Sequence, residues 1–237
     1  MLSKSVRVVM IFAAMACLSL GFSVPAGAVE PPSQADRNTD AFTSPAAIIY
    51  SQPASPSGGL FQSSRNPGGT DSDQYVWDNF ALQASSGITI TDIQWRGGYQ
   101  LGSGTVLNFT VAIYPSTAGG TQPDVVNPPL VHYQPSGNAG ETPVGTVGGI
   151  AMYDYHFTLP TAFQATAGTK YWVQIEAFQN GVPDWGLAAG TGGDNKHFRG
   201  MAVLGDIHFD APAGDAAFTL LGPAVSTHRI YLPLIFK

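Results

Sequence analysis

The sequence predicts an all-β protein, an antiparallel, jelly-roll-like β-sandwich of eight to ten strands. Apolar and polar residues alternate with a period of two in successive short segments, which is typical of strands with one buried face. The segments are separated by turns rich in glycine and proline, of which the chain has 28 and 18. Only 11% of the residues are charged, far from the composition of helical proteins.

Residues 1–28 are predicted to be a secretory signal peptide. Lys4 and Arg7 are followed by the apolar stretch Val8–Phe22 and by small residues up to Ala28, where we expect cleavage. We therefore expect a secreted or cell-surface protein without a transmembrane span in its mature chain. A retained anchor is the alternative, although the stretch is short against the roughly 20 residues that span a bilayer. A lipoprotein at Cys17, the only cysteine, is a third interpretation.

Three further segments are predicted. Residues 29–45 are polar and proline-bearing and are expected to form a disordered spacer. Residues 46–222 carry the strand patterns of one domain, and residues 223–237 form a C-terminal tail that ends in IYLPLIFK. The net charge of −6 and the scattered lysines and arginines argue against nucleic acid as a partner, because binding phosphates requires clustered positive charge.

Two irregularities in the alternation give specific expectations. Asp78 has the parity of Val76 and Phe80, which places a carboxylate on the apolar side of its strand. Ile90 and Ile93 have opposite parities, so a bulge near Thr91 and Asp92 is needed to turn both inward. The clearest strand alternates Tyr171, Val173, Ile175 and Ala177 with Trp172, Gln174, Glu176 and Phe178.

Seven short motifs follow one another along the chain: IIY, WDNF, ITITDIQWRGGY, FTVAIYP, YHFTLP, AGTKYWVQI and DAAFTLLG. In this order they resemble a loosely defined group of bacterial exported β-sandwich domains of mostly unassigned function, over roughly Ala46 to Gly222. The ending IYLPLIFK resembles the tail of some bacterial secreted proteins. The resemblance implies a scaffold or binding role and supplies no catalytic residues.

Carbohydrate binding is the first hypothesis for the chemistry, because sugar rings stack on exposed aromatic rings while amides and carboxylates bind their hydroxyls. The alternative is that these aromatic residues belong to the core or that both faces of the sheet are covered, and for any single residue we favour it. The candidates are Trp95, Tyr99, Trp172, Gln174, Glu176 and Trp185.

Calcium is the second hypothesis, because hard cations bind carboxylate oxygens. The candidates are Asp71, Asp73, Asp78 and Asp215. The more ordinary interpretation is that the first two are solvated loop residues and the last two accept hydrogen bonds from turn amides. No cofactor is required by the sequence.

Other polar residues receive ordinary interpretations. Asp206, His208 and Asp210 share one strand face and have ligand types that suit zinc, but a solvent-facing strand explains them as well. The remaining histidines are predicted to be surface or loop residues: His132, His156, His197 and His228.

The sequence thus favours a non-catalytic secreted or surface module with polysaccharide as its ligand. The alternative is a structural protein of the cell envelope without a small ligand. A glycan hydrolase is a further alternative, which requires a second carboxylate within about 5 to 10 Å of Glu176. The chain contains no G-x-S-x-G, H-E-x-x-H or P-loop motif, and these patterns mark common hydrolase and nucleotide sites.

Overall fold

The computed structural model describes residues 46–67, 73–83 and 88–224. The predicted signal peptide, spacer and most of the tail lie outside these ranges. Within the described residues the regular structure is entirely β-strand. The fifteen strands found there are β1 (Ala46–Gln52), β2 (Leu60–Gln62), β3 (Ser64–Arg65), β4 (Gln74–Ala81), β5 (Ile88–Tyr99), β6 (Val106–Pro115), β7 (Val131–Tyr133), β8 (Thr142–Val147), β9 (Ile150–Ala165), β10 (Lys170–Gln179), β11 (Trp185–Gly190), β12 (His197–Val203), β13 (Asp206–Asp210), β14 (Asp215–Ala216) and β15 (Phe218–Pro223).

These strands form two sheets. The larger sheet has eight strands in the order β1-β15-β5-β11-β14, with β2 paired to β11, β9 to β5 and β8 to β9. The smaller sheet has seven strands in the order β13-β12-β4-β3-β10-β6-β7. The pairings are antiparallel except for the short contact between β10 and β3, so the predicted antiparallel sandwich is confirmed. The strands outnumber the expected eight to ten because several, such as β3 and β14, have only two residues.

The core between the sheets is built around aromatic rings. Trp95 of β5 stacks on Tyr155 of β9 with ring centroids 5.6 Å apart. Phe109 of β6 reaches across from the smaller sheet and meets Trp185 of β11 edge to face at 5.1 Å. The indole nitrogen of Trp185 donates a hydrogen bond to the Tyr155 hydroxyl at 3.0 Å. Both sheets therefore contribute large rings in favourable geometries to a single interface.

Gly97 makes room for this cluster. A Cβ atom on Gly97 would lie 2.1 Å from Cζ2 of Trp185, and Gly97 pairs with Leu187 on the same strand as Trp185. Because any side chain at this position would collide with the indole, the glycine of β5 leaves the space that the Trp185 ring occupies.

The predicted irregularity in β5 is confirmed. The register with β9 shifts between Ile90 and Asp92, and Ile90 and Ile93 are both fully buried. The shift reverses the parity of the strand. After the shift, the odd-numbered residues of β5 face inward instead of the even-numbered ones, so Trp95 is buried and Gln94 is exposed.

Replacement of Trp185 tests the aromatic core. We expect Trp185→Ala to lower the free energy of unfolding by about 3 to 5 kcal/mol, because it leaves a large cavity in a fully buried site. Urea denaturation followed by circular dichroism measures the change. Val126→Ala, at a side chain 91% exposed, should stay within about 0.5 kcal/mol of the wild type. A loss below about 1 kcal/mol for Trp185→Ala would contradict the described core.

Candidate functional site

Three of the predicted sugar-binding aromatics are core residues. Trp95, Tyr99 and Trp185 are 2%, 1% and 0% exposed and face the smaller sheet from β5 and β11. The hypothesis that they lie exposed beside Trp172 is therefore wrong, and the alternative that we favoured for any single residue, a place in the core, is correct for these three. The physical reason is the parity of β5 after its bulge, which turns Trp95 and Tyr99 into the sandwich.

Trp172 lies on the other side of β10, the outer face of the smaller sheet. It is nevertheless covered, because it packs with Trp77 and Phe198, and its indole nitrogen donates to the Ser116 hydroxyl at 2.9 Å. Tyr171 on the opposite parity belongs to the main core. Both faces of this sheet are thus covered at β10. This agrees with the alternative to sugar binding, in which the aromatic residues of β10 are buried on both faces.

Gln174 and Glu176 continue the outer face of β10 but are committed to internal contacts. Oε1 of Glu176 accepts a hydrogen bond from Nε of Arg65 at 2.8 Å, and Oε2 accepts one from Gln174 at 3.1 Å. Burial raises the pKa of Glu176, and the Arg65 guanidinium opposes this shift. The arginine also lies over the ring of Phe178. This arrangement is an ion pair between a buried carboxylate and a partly exposed arginine, with a supporting amide and a cation–π contact.

The four predicted calcium ligands do not all come together. Asp73 accepts a hydrogen bond from the Asn66 amide at 3.0 Å and its charge acts on Glu176, so it belongs to that neighbourhood. Asp71 lies outside the described residues. Asp78 and Asp215 do meet, and they are joined by Asp194: each offers a carboxylate oxygen within 4.8 Å of the others. We call these three residues the carboxylate cluster.

The two predicted members of the cluster bind backbone amides. Asp78 accepts from its neighbour Asn79 at 2.6 Å and from the amide of Ala216 in the larger sheet. Asp215 accepts from Gly193 at 2.9 Å and from Asn195 at 2.6 Å. The turn-amide interpretation is therefore confirmed for Asp215, whereas the amides that donate to Asp78 belong to the strands β4 and β14. Burial raises the pKa of Asp78 to about 8, against the lowering effect of its two amide donors.

Sequence reasoning missed Asp194. It lies in the loop between β11 and β12, in a Gly-Gly-Asp-Asn stretch without any periodic pattern. Asp215 accepts hydrogen bonds from the backbone amides of Gly193 and Asn195. These bonds fix the turn that places Asp194 beside Asp78. This contact joins segments more than a hundred residues apart, and short motifs do not record it.

The predicted zinc candidates are not gathered around a common point. Asp210 forms a two-bond ion pair with Arg199 at 2.6 and 3.0 Å, while Asp206 and His208 are exposed on β13. Among the described residues, the carboxylate cluster is the group of three with metal-ligand geometry.

A groove of about 440 Å³ opens on the outer face of the larger sheet. Its floor is a row of polar side chains on four neighbouring strands, paired in register from β1 through β15 and β5 to β9. We call it the polar row. Its members are Ser51, Thr219, Gln94 and His156.

Ion pairs hold the side chains around this row in place. Arg96 donates two hydrogen bonds to Asp154 at 2.7 and 2.9 Å, and both residues line the groove. Asp92 contacts Nε2 of His156 at 2.9 Å and accepts from Thr158 at 2.6 Å. Burial raises the pKa of Asp92, but its hydrogen bonds outweigh this effect, and the pKa lies below the usual value. The groove is therefore lined by fixed donors and acceptors.

A comparison with protein families assigns the domain. The sequence profile described as "Domain of unknown function (DUF7901)" matches residues 48–211, more than half of the chain. The chain belongs to this family. The DUF7901 match begins within β1 and ends just after β13, and it therefore includes Asp78, Asp194 and three of the four residues of the polar row. No curated protein matches the sequence.

The DUF7901 match, residues 48–211, lies within the predicted domain, residues 46–222. Like the group of domains that the motifs resemble, this family has no assigned function. Among the described residues there is also no helix with the length and apolar character needed to cross a bilayer.

His197 corrects another expectation. It was predicted at the surface or in a loop, but it is 2% exposed at the start of β12, with Nδ1 2.9 Å from the carbonyl oxygen of Gly214 and its ring 4.0 Å from that of Phe61. Burial lowers its pKa. The folded protein therefore holds this imidazole neutral at pH values where the unfolded chain protonates it.

This burial predicts a pH-dependent contribution to stability. Because the folded pKa lies below the unfolded value of about 6.5, the contribution is complete above that value and is lost as the pH falls below it. The stability advantage of the wild type over His197→Asn should shrink by up to about 2 kcal/mol between pH 7.5 and pH 5. Urea titrations of both proteins in EDTA measure the difference, with His208→Asn as the exposed control. An advantage that stays constant or grows at low pH would contradict the neutral buried imidazole.

Proposed function

We propose that this DUF7901 protein is a secreted or cell-surface, non-catalytic module that binds polysaccharide in the groove of the larger sheet. The observation that carries the proposal is the polar row, in which hydroxyl, amide and imidazole groups from four strands share one concave surface. Sugar hydroxyls both donate and accept hydrogen bonds, and these groups offer both functions.

The length of the row favours a chain of sugars over a single one. Neighbouring strands lie about 4.8 Å apart, so four of them span about 14 Å across the sheet. Ser51 at one end and His156 at the other are both exposed. Because the groove is open, a polysaccharide chain can lie across the strands without threading an end into a closed pocket.

The charged side chains are arranged in advance of binding. Asp92 orients His156 and Arg96 orients Asp154, so little side-chain freedom is lost when a ligand binds. The same contacts support a non-catalytic role. Both carboxylate oxygens of Asp154 accept hydrogen bonds from Arg96, whereas a general acid or nucleophile for glycoside cleavage needs an oxygen free to reach the glycosidic bond.

Location outside the cell follows from the predicted signal peptide, residues 1–28, which lies outside the described residues. Export would place the groove where polysaccharides occur. Cleavage near Ala28 also removes Cys17, so the fold would rely on packing and hydrogen bonds without a disulfide.

A structural role in the cell envelope is the alternative, and one surface favours it. The β12–β13 hairpin at the edge of the smaller sheet exposes Leu204 by 86%, Ile207 by 50% and Phe209 by 45%. An apolar edge strand is a common place for self-association. Analytical ultracentrifugation distinguishes this role from polysaccharide binding, because a structural role requires the protein to form stable assemblies in the absence of a ligand.

A glycan array with the purified protein tests the proposal. We expect the wild type to be retained on at least one polysaccharide. Gln94→Ala and His156→Ala should each bind that polysaccharide about tenfold more weakly or worse, because each substitution removes a hydrogen-bonding group from the groove. Gln122→Ala, a matched glutamine exposed in the loop between β6 and β7, should bind as the wild type does. The absence of retention on any glycan would refute the proposal, as would equal binding by all three variants.

A further inference from the structure

The carboxylate cluster concentrates negative charge where the two sheets meet. Asp78 comes from β4 of the smaller sheet, Asp215 from β14 of the larger sheet and Asp194 from the loop before β12. Lys170 contacts one of the three carboxylates, Oδ2 of Asp194, at 3.2 Å. Among the described residues, Asp78 and Asp215 form no ion pair with a lysine or an arginine. Neighbouring carboxylates repel one another strongly when they are buried.

A second observation comes from Gln52, which is 1% exposed. Its Nε2 donates to the Tyr50 hydroxyl at 2.8 Å and to the carbonyl oxygen of Asn79 at 3.1 Å. Its Oε1 is buried and has no hydrogen-bond partner. A buried acceptor without a partner is costly, and the oxygen of a carboxamide is a good ligand for a hard cation.

The carboxamide of Gln52 lies beside the cluster, with its Nε2 atom on the side of Gly193 and Asp215. A Cβ atom on Gly193 would lie 2.6 Å from Nε2 of Gln52 and 2.6 Å from Oδ1 of Asp215. The Asn79 side chain donates to Asp194 at 3.1 Å, and its backbone amide donates to Asp78. The absence of a side chain at position 193 keeps this space free, since any other residue would fill it.

We propose that the carboxylate cluster and Oε1 of Gln52 together bind a hard divalent cation of the calcium type. The donor set consists of oxygen atoms alone, as such ions require. Each carboxylate oxygen of Asp78 and Asp215 accepts one amide proton and retains a second lone pair for a metal ion.

The ion has a structural consequence. It ties β4, β14 and the loop at Asp194 to one point, so it stabilises the folded chain by mass action. Gln52 also lines the groove, whereas the three carboxylates do not, and calcium binding is measured without a glycan.

Calorimetric titration of calcium chloride into purified, EDTA-treated protein tests the site. The wild type should bind calcium and its melting temperature should rise with calcium concentration. Asp194→Asn should weaken binding about tenfold or more, because it removes a charged ligand. This side chain is 43% exposed and does not make the amide contacts of Asp78 and Asp215, so the variant should fold. Lys170→Met should tighten binding, since it removes a competing positive charge.

Asp206→Asn serves as the matched control, because it removes one exposed carboxylate at the far end of the β12–β13 hairpin and should leave calcium binding unchanged. The proposal is overturned by any of three results. These are no calcium binding or thermal shift in the wild type at millimolar calcium, equal affinities for the wild type and Asp194→Asn, or magnesium binding as tight as calcium binding.

Discussion

The sandwich depends on a carboxylate that lies between its sheets. Asp78 is 1% exposed on the inner face of β4 and accepts a hydrogen bond from Ala216 in the opposite sheet. Burying a carboxylate is costly unless it is hydrogen-bonded or its charge is neutralised. The residues around Asp78 supply hydrogen bonds to its two oxygens. Asn79 donates to Asp78 and Asp194, Asp215 ties down the turn that carries Asp194, and the cation that we propose completes the neutralisation.

The aromatic and polar residues divide their roles between the inside and the outside of the sandwich. Trp95, Phe109, Tyr155 and Trp185 fill the space between the sheets, and a second aromatic group around Trp172 covers the smaller sheet from outside. The larger sheet is different, because its outer face carries the polar row. We propose that recognition uses hydrogen bonds in the groove of the larger sheet, while the buried tryptophans stabilise the fold.

Parity along each strand is a local property, and for that reason the sequence predicted much of the fold. It indicated the sandwich, the irregularity at Asp92 and the inward position of Asp78, and all three agree with the structure. It was less successful with Trp185, because an aromatic residue on a short strand is compatible with either face. His197 likewise gives no local sign of burial.

The sites required information that one strand does not contain. The polar row exists only because Gln94 pairs with Thr219 and with His156, two residues that are far from it in sequence. Outward polar residues are also what an ordinary solvated strand presents, so neither residue type nor spacing distinguished them. Asp194 joins Asp78 through a loop turn that Asp215 holds, and no motif encodes that contact.

We propose that recognition occurs in the polar row and not on the aromatic residues of the smaller sheet. Amide NMR spectra recorded during titration with a glycan retained on the array locate the binding surface most directly. The account predicts shift changes concentrated at Gln94, His156 and Thr219. Changes concentrated instead at Trp172 and Tyr114, or no changes with any glycan, would contradict it.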